Sequence, residues 1–282
     1  MSEPYIKLKI GSSDEFSLTD KIDGLRYLGQ DTASSSPQFT NTYQDLSGVD
    51  GSFFVAQSFA KRSIAEKFWL HFNSYQDFIL AKQELYHIFG TRQPVRVRTD
   101  TYPLIVYYGY VTAFDIAPLV NGSHDANFSI TFDVPDGYRY SLYASDELAD
   151  AHKDDGWEFG MNLPDGSLPA YKVTGNSFKI YNASDIAVDP YYQKHTLKIT
   201  MSYSGSSMTL TNTTNGTSWS YKQSPSGKQL ILDGLNAYLD NTNVNANSDY
   251  GSIRLEPGWN DFTVDGAGGF NATFSFPFIY IS

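Results

Sequence analysis

The 282-residue chain is 41% hydrophobic, enough for one large domain or two of ordinary size around a packed core. Its formal net charge is −11, which argues against free nucleic acid or an anionic membrane as an adhesive partner, because phosphate binding needs clustered Lys and Arg. It contains no cysteine, which excludes disulfides, thiol nucleophiles and Cys-ligated zinc.

The chain begins MSEPYIKLKI, with no basic segment leading into an apolar core, so it does not read as a secretory signal. Residues 64–72 alternate, with Ile64, Glu66, Phe68, Leu70 and Phe72 on one face of a strand and Ala65, Lys67, Trp69 and His71 on the other. A Trp on a solvated face exposes a large apolar ring, so Lys67, Trp69 and His71 are candidates for a subunit contact. The other reading is that a helix of the same chain covers Trp69. Residues 73–90 supply such a helix. Ser74 is its N-cap with Asp77 three residues on, Phe78, Ala81, Leu85 and Ile88 follow at helical spacing, and Gly90 ends it. That apolar stripe either docks onto a partner or covers the sheet of its own chain.

Strands resume after Pro94. Arg92, Arg96 and Arg98 form a small basic cluster that receives an acidic neighbour or solvates a strand face. The most apolar run, residues 103–111, is far too short to span a bilayer, so no membrane partner is expected. Phe128, Ile130 and Phe132 mark another half-buried strand. A boundary falls near residues 134–143, and the polar, acidic residues 145–160 read as a linker or exposed arm. Beyond Tyr171 the chain is strand and turn. Phe274, Phe276, Phe278 and Tyr280 read as one strand, with Pro277 placing it at an edge or a bulge. The expected fold is mainly β, an α+β N-terminal domain followed by an all-β sandwich.

Chemistry is hard to find. His71, His87, His124, His152 and His195 lack the spacings that build a metal site. Residues 224–228 (SPSGK) fail the phosphate-loop pattern twice, at Lys222 and at Gln229. Ser58 and Lys61 match Ser-x-x-Lys without its companion motifs. The pairs Asp146–Glu147 and Asp154–Asp155 have no apolar wall nearby to raise a pKa. Residues 241–249 look superficially like a calcium loop but lack its Gly and its ligating Glu, and read as a hairpin tip. No catalytic residue, metal or cofactor is expected.

Several segments of the second half carry a pattern: FKIYNASDIAVDP, HTLKITMS, MTLTNTTNGTSWSY, LILDGL and IRLEPGWNDFTVDG, in that order. This resembles the C-terminal part of siphophage distal tail proteins. The matching positions are Phe178, Ile180 and Asn182; Val188, Asp189 and Pro190; Asn212, Thr213 or Thr214, and Gly216; and Leu255, Pro257, Gly258 and Asn260. The first half also looks like that family, with Asp50-Gly51, a pair of strands, a helix, a Pro and two strands ending SITFDVPDG. The resemblance implies a ring-forming belt domain over residues 1–141 and a galectin-like β-sandwich over 142–282, with 145–170 as linker or arm. It implies a homohexameric hub at the distal end of the virion tail, mostly in phages of Gram-positive hosts. Such a hub joins the tail tube protein to a tail-associated fibre or lysin and to receptor-binding or adhesion proteins, and DNA passes through its channel without specific binding. The alternative function is a carbohydrate-binding adhesion module for host cell-wall glycans that uses Trp157, Trp219 or Trp259. A polysaccharide-cleaving enzyme would need two carboxylates in an apolar cleft.

Overall fold

In the computed structural model, residues 4–31, 36–147, 160–162, 164 and 169–281 are described. The chain divides into two compact units, one of residues 1–139 with 281–282 and one of residues 140–280.

The first unit is built on β6 (Arg62–His71), whose strict alternation sends Ile64, Glu66, Phe68 and Leu70 inward. It pairs with β3 (Leu25–Gln30) on one side and with β9 (Asp125–Val134) on the other. The sheet continues through β8 (Ile105–Val111), β7 (Val95–Thr99), β1 (Ile6–Ile10) and β2 (Phe16–Ser17), in the order β2-β1-β7-β8-β9-β6-β3. A four-residue helix, α1 (Leu18–Lys21), precedes β3. Gly24, at φ +74°, then brings the chain against the His71 carbonyl so closely that a Cβ would collide with it.

The expected helix is α2 (Tyr75–Phe89). Its N-cap works as the sequence indicates, with Asp77 N donating to Ser74 Oγ at 3.1 Å. Phe78 and Leu85 join Ile64, Phe68, Leu70 and Phe128 in one core, so α2 covers the inward face of its own sheet. Projecting from this unit, β4 (Phe39–Gln44) and β5 (Phe53–Phe59) form a hairpin that pairs, among the described residues, with no other strand.

A carboxyl group lies inside this core. The Glu66 side chain is buried, and its carboxylate accepts from Tyr27 Oη at 2.6 Å and from Tyr107 Oη at 2.7 Å. Arg139 lies over the rings of Tyr102 and Tyr107 at 4.5 and 5.4 Å and donates to Gln30. Burial raises the pKa of Glu66 above the ordinary carboxylate value, against the lowering effect of the two tyrosine hydrogen bonds and Arg139.

The second unit is a sandwich of two antiparallel sheets. The larger runs β11 (Lys172–Thr174), β20 (Gly268–Ser275), β13 (Lys198–Ser204), β16 (Leu230–Asp233), β17 (Asn236–Leu239) and β18 (Thr242–Asn243). The smaller runs β12 (Ser177–Asn182), β19 (Gly258–Asp265), β14 (Met208–Asn212) and β15 (Thr217–Tyr221). Phe178 and Phe262 of the smaller sheet meet Phe270 and Phe274 of the larger at ring separations of 5.3 to 5.9 Å. Residues 274–280 are not one strand. The chain breaks at Phe276, and β21 (Pro277–Tyr280) pairs instead with β10 (Arg139–Ala144). Ser145 Oγ fills the break, donating to Phe274 O and accepting from Phe276 N.

Three asparagines are buried in the smaller sheet and its connections: Asn182, Asn212 and Asn260. Asn260 Oδ1 accepts from Asn212 Nδ2 at 2.9 Å and from Glu256 N at 2.8 Å. Its Nδ2 donates to the carbonyls of Glu256 and Gly258. Asn212 Nδ2 also donates to Arg254 O, and Asn182 Nδ2 to Leu255 O. Val188 and Leu255 exchange backbone hydrogen bonds at 2.9 and 3.0 Å. The separated motifs of the sequence thus converge on the turn at residues 254–260.

Two outcomes follow from this packing. Asn260→Ala leaves Glu256 N and the Asn212 amide without their buried acceptor, and should destabilise the second unit by about 2–4 kcal/mol. Calorimetric melting measures this, and a change under about 0.5 kcal/mol would contradict the network. For Glu66, the folded protein holds the carboxyl proton more tightly than the unfolded chain. Its contribution is therefore complete below the unfolded carboxylate pKa and is lost as pH rises through the higher folded value. Glu66→Gln should flatten that part of the stability–pH profile. Glu66→Ala strands two buried hydroxyls and should cost about 2–6 kcal/mol at any pH below tyrosine ionisation.

Candidate functional site

The three residues singled out on β6 share the sheet face opposite α2. Trp69 is half-buried, and its own helix does not cover it. It stands in register between Arg26 of β3 and Asn127 of β9. The Arg26 guanidinium lies 5.3 Å from the indole centroid. The His71 ring stacks on the indole at 5.7 Å, and His71 Nδ1 lies 2.8 Å from Asp125 Oδ1. One step along the strand, Lys67 Nζ lies 3.4 Å from Asp31. The result is an aromatic ring in contact with a cation and an imidazole, with the Lys67–Asp31 ion pair beside it. The patch has an apolar centre and a polar border.

The β4–β5 hairpin is a second, larger feature that sequence reasoning did not single out. Phe39, Tyr43, Phe53, Phe54 and Val55 are each more than half exposed. Phe53, Phe54 and Val55 are consecutive, and successive strand residues point to opposite faces. Both faces of the hairpin are therefore open and apolar. At the tip Leu46 and Val49 are also exposed. At the base, Ala60 N donates to Gln38 O at 2.8 Å and Phe59 packs on Tyr138. The one available signal was the run FFVAQSF, which is too apolar for a solvated strand.

The basic cluster receives an acidic neighbour of its own chain. Arg98 makes a two-pronged pair with Glu15, 2.9 Å at each nitrogen, and Arg96 reaches the same carboxylate at 3.5 Å. The weak motifs do not assemble into sites. Lys61 is paired to Asp133 at 2.7 Å, and Ser58 lies on the exposed hairpin. Lys228 is paired to Asp240. In residues 241–249, Asn245 Oδ1 accepts from Ala237 N, and Asp249 Oδ1 from the backbone of Ser220 and Gly251. Among the described residues no three His, Asp or Glu side chains are grouped as metal ligands would be. Of the tryptophans considered for sugar binding, Trp219 is buried against Tyr221. Trp259 is 47% exposed and meets Tyr181 edge-on at 5.1 Å. Trp157, His152, Asp154 and Asp155 lie outside the described residues, as does most of the 145–170 arm.

Residues 12–134 match the phage tail protein RIFT-related domain, and residues 170–276 match a phage tail C-terminal domain. The chain is a phage tail protein built of these two modules. Within that class its fold is that of a siphophage distal tail protein. The Dit protein (gp 19.1) of phage SPP1, described as a paradigm of the hub adsorption apparatus in Gram-positive infecting phages, is 12% identical. That match covers 97% of this chain and 99% of that one, with a TM-score of 0.63. Chains of the phage p2 baseplate in its activated conformation, with Ca and with Sr, match at 11% and 14% identity, with TM-scores of 0.43 and 0.44. Each of those two matches covers 98% of both chains. No curated protein matches the chain.

Replacement of Trp69 separates a surface anchor from a core residue. Trp69→Ala should cost no more than about 2 kcal/mol in the isolated protein. Phe68→Ala, one residue earlier on the buried face, should cost about 3–5 kcal/mol. Equal losses in the melting of the two variants would place Trp69 in the core.

Proposed function

We propose that six copies of this chain form the ring-shaped hub at the distal end of a siphophage tail. The N-terminal residues 1–141 make the ring, and residues 142–282 form outward galectin-like sandwiches. The observation that carries this reading is the β4–β5 hairpin, open and apolar on both faces. A two-stranded hairpin is marginal in water by itself, and an exposed apolar one is an aggregation hazard. It is the kind of element that a protein keeps for a partner. Lys67, Trp69 and His71 are assigned to a subunit contact of the same ring.

The hub joins the tail tube protein to a fibre or lysin and to adhesion proteins of a phage that infects a Gram-positive host. Its channel passes DNA without holding it. Each copy contributes a net charge of −11, and an acidic wall repels duplex over about 8 Å at physiological ionic strength. Arg96 and Arg98, bound to Glu15, offer phosphates little. No enzymatic step is assigned.

A second reading is favoured by one feature, the exposed Trp259 beside Tyr181, with the Lys179–Asp261 ion pair at the next outward position of the same strand pair. Aromatic platforms with polar borders bind sugars. A glycan array probed with the purified protein decides this, because binding lost in Trp259→Ala would establish it.

Native mass spectrometry and negative-stain imaging test the hub. The expected result is a six-fold ring with six peripheral lobes and no retention of duplex DNA at physiological salt. A monomer at tens of micromolar, or tight DNA binding by the ring, would count against it.

A further inference from the structure

The N-terminal sheet ends in an unfilled edge. β3 pairs with β6 along one side, and no described strand pairs with its other side. The opposite end of the sheet is β1 and β2. The sheet curls so that both ends border one groove of about 950 Å³. On one wall are Tyr5, Lys7 and Asp20. The other wall is formed by all five consecutive residues 24–28. Successive strand residues point to opposite faces, so a wall of five in a row is a strand edge rather than a strand face. A strand takes up about 4.8 Å by 10 Å in cross-section and about 3.3 Å along its axis per residue. The groove therefore has room for about six residues in extended conformation.

The groove also has a sign. It is bordered by Lys7, Arg26 and Arg98 against Asp20. Arg98 is already neutralised by Glu15. Lys7 and Arg26 lie over the rings of Tyr5 and Trp69 and, among the described residues, enter no ion pair. The β4–β5 hairpin is complementary in both respects. Its strands have six and seven residues. Residues 39–59 contain Asp45 and Asp50 and neither Lys nor Arg.

We propose that this groove receives the β4–β5 hairpin of a neighbouring copy, which adds one of its strands along the β3 edge. The inference rests on the ring reading above and names its joint. The hairpin does not fill the groove of its own chain, since both its faces are exposed. Each copy would give one hairpin and accept one. Such a head-to-tail contact closes into a ring when the rotation allows, with no hairpin and no groove left over. Main-chain hydrogen bonds fix the register, and the alternating aromatic side chains fill the walls, as in other cases of strand addition. Arg26 ties the two surfaces together, for it borders the groove and also packs on Trp69.

Two variants with opposite defects test the joint. In the first, residues 39–59 are replaced by a short Gly-Ser link, which the existing Gln38–Ala60 hydrogen bond can close. In the second, Lys7→Glu and Arg26→Glu reverse the groove. Thermal melting of each confirms folding, and native mass spectrometry reads assembly. Each variant alone should fail to form rings. A one-to-one mixture should yield a heterodimer and stop there, because one free hairpin meets one free groove. In the unmodified protein, hydrogen exchange at the amides of residues 24–28 that have no partner within the chain should slow at least tenfold between dilute monomer and ring. Rings formed by the hairpin-deleted copy, failure of the two variants to pair, or unprotected amides at 24–28 in the ring would overturn the joint while leaving the ring reading intact. If the unmodified chain forms no ring, residues 36–61 fused to a carrier are titrated onto it. Protection of residues 24–28 would then uphold the groove without the ring, and no binding would overturn both.

Discussion

A carboxylate in the middle of an apolar sheet face must find donors or leave the core, and the N-terminal unit is arranged around the donors that Glu66 finds. Tyr27 approaches from β3 and Tyr107 from β8, with β6 and β9 between those two strands. Two hydrogen bonds to one buried carboxyl group therefore link strands that are not neighbours. Arg139 adds a positive charge above the Tyr107 ring. β3 benefits most. Among the described strands it is the end one with a single strand neighbour, and it follows the close approach of Gly24 to His71. Without the Tyr27 anchor its position would rest on a single ladder interrupted by the register shift between Tyr27 and Gly29. The polar knot inside thus sets where the open edge outside lies.

The second unit applies the same economy differently. Three of its interior polar groups are amides, and Asn260 uses both lone-pair directions and both N–H groups on named partners. A buried amide satisfied this fully fixes one geometry, since any rotation strands a donor or an acceptor. The residues that mark the family therefore hold a turn, and this explains why their pattern supports recognition of a fold without pointing to chemistry. Glu66, Asn182, Asn212 and Asn260 are thus occupied in holding strands and turns.

The alternation of residues 64–72 was sufficient to sort β6 into an inner and an outer face, because period two leaves no choice once one face is buried. The helix was legible for a similar local reason, with Ser74, Asp77 and the 78/81/85/88 stripe all within four turns. The parts that escaped depend on distant partners. Ser145, far away in sequence, splits the run at Phe276, so local patterning reads one strand where the fold has two. Glu66 reads as one polar residue on an apolar face until Tyr27 and Tyr107 are placed beside it. Arg96 and Arg98 find Glu15 in the same way. The hairpin escaped for the opposite reason. An apolar run such as FFVAQSF looks the same whether it is to be buried by its own chain or by another.

Charge and apolar area have separate tasks on such a surface. Copies that each carry −11 repel one another at long range, and this opposes any assembly. With a screening length of about 8 Å, however, an approaching hairpin senses mainly the charges near its landing site. In the proposed joint, Lys7 and Arg26 would supply a local attraction for Asp45 and Asp50 within an otherwise repulsive field. That arrangement favours one approach and penalises others, which gives orientation more than affinity. Affinity would have to come from Phe39, Tyr43, Phe53, Phe54 and Val55, because burial of a large apolar side chain contributes about 1.5–3 kcal/mol while an exposed ion pair contributes about 0–1. An aromatic hairpin with acidic residues near its tip, and an open strand edge beside two cations that enter no ion pair among the described residues, would divide those two tasks in the way that a directional, closing assembly requires.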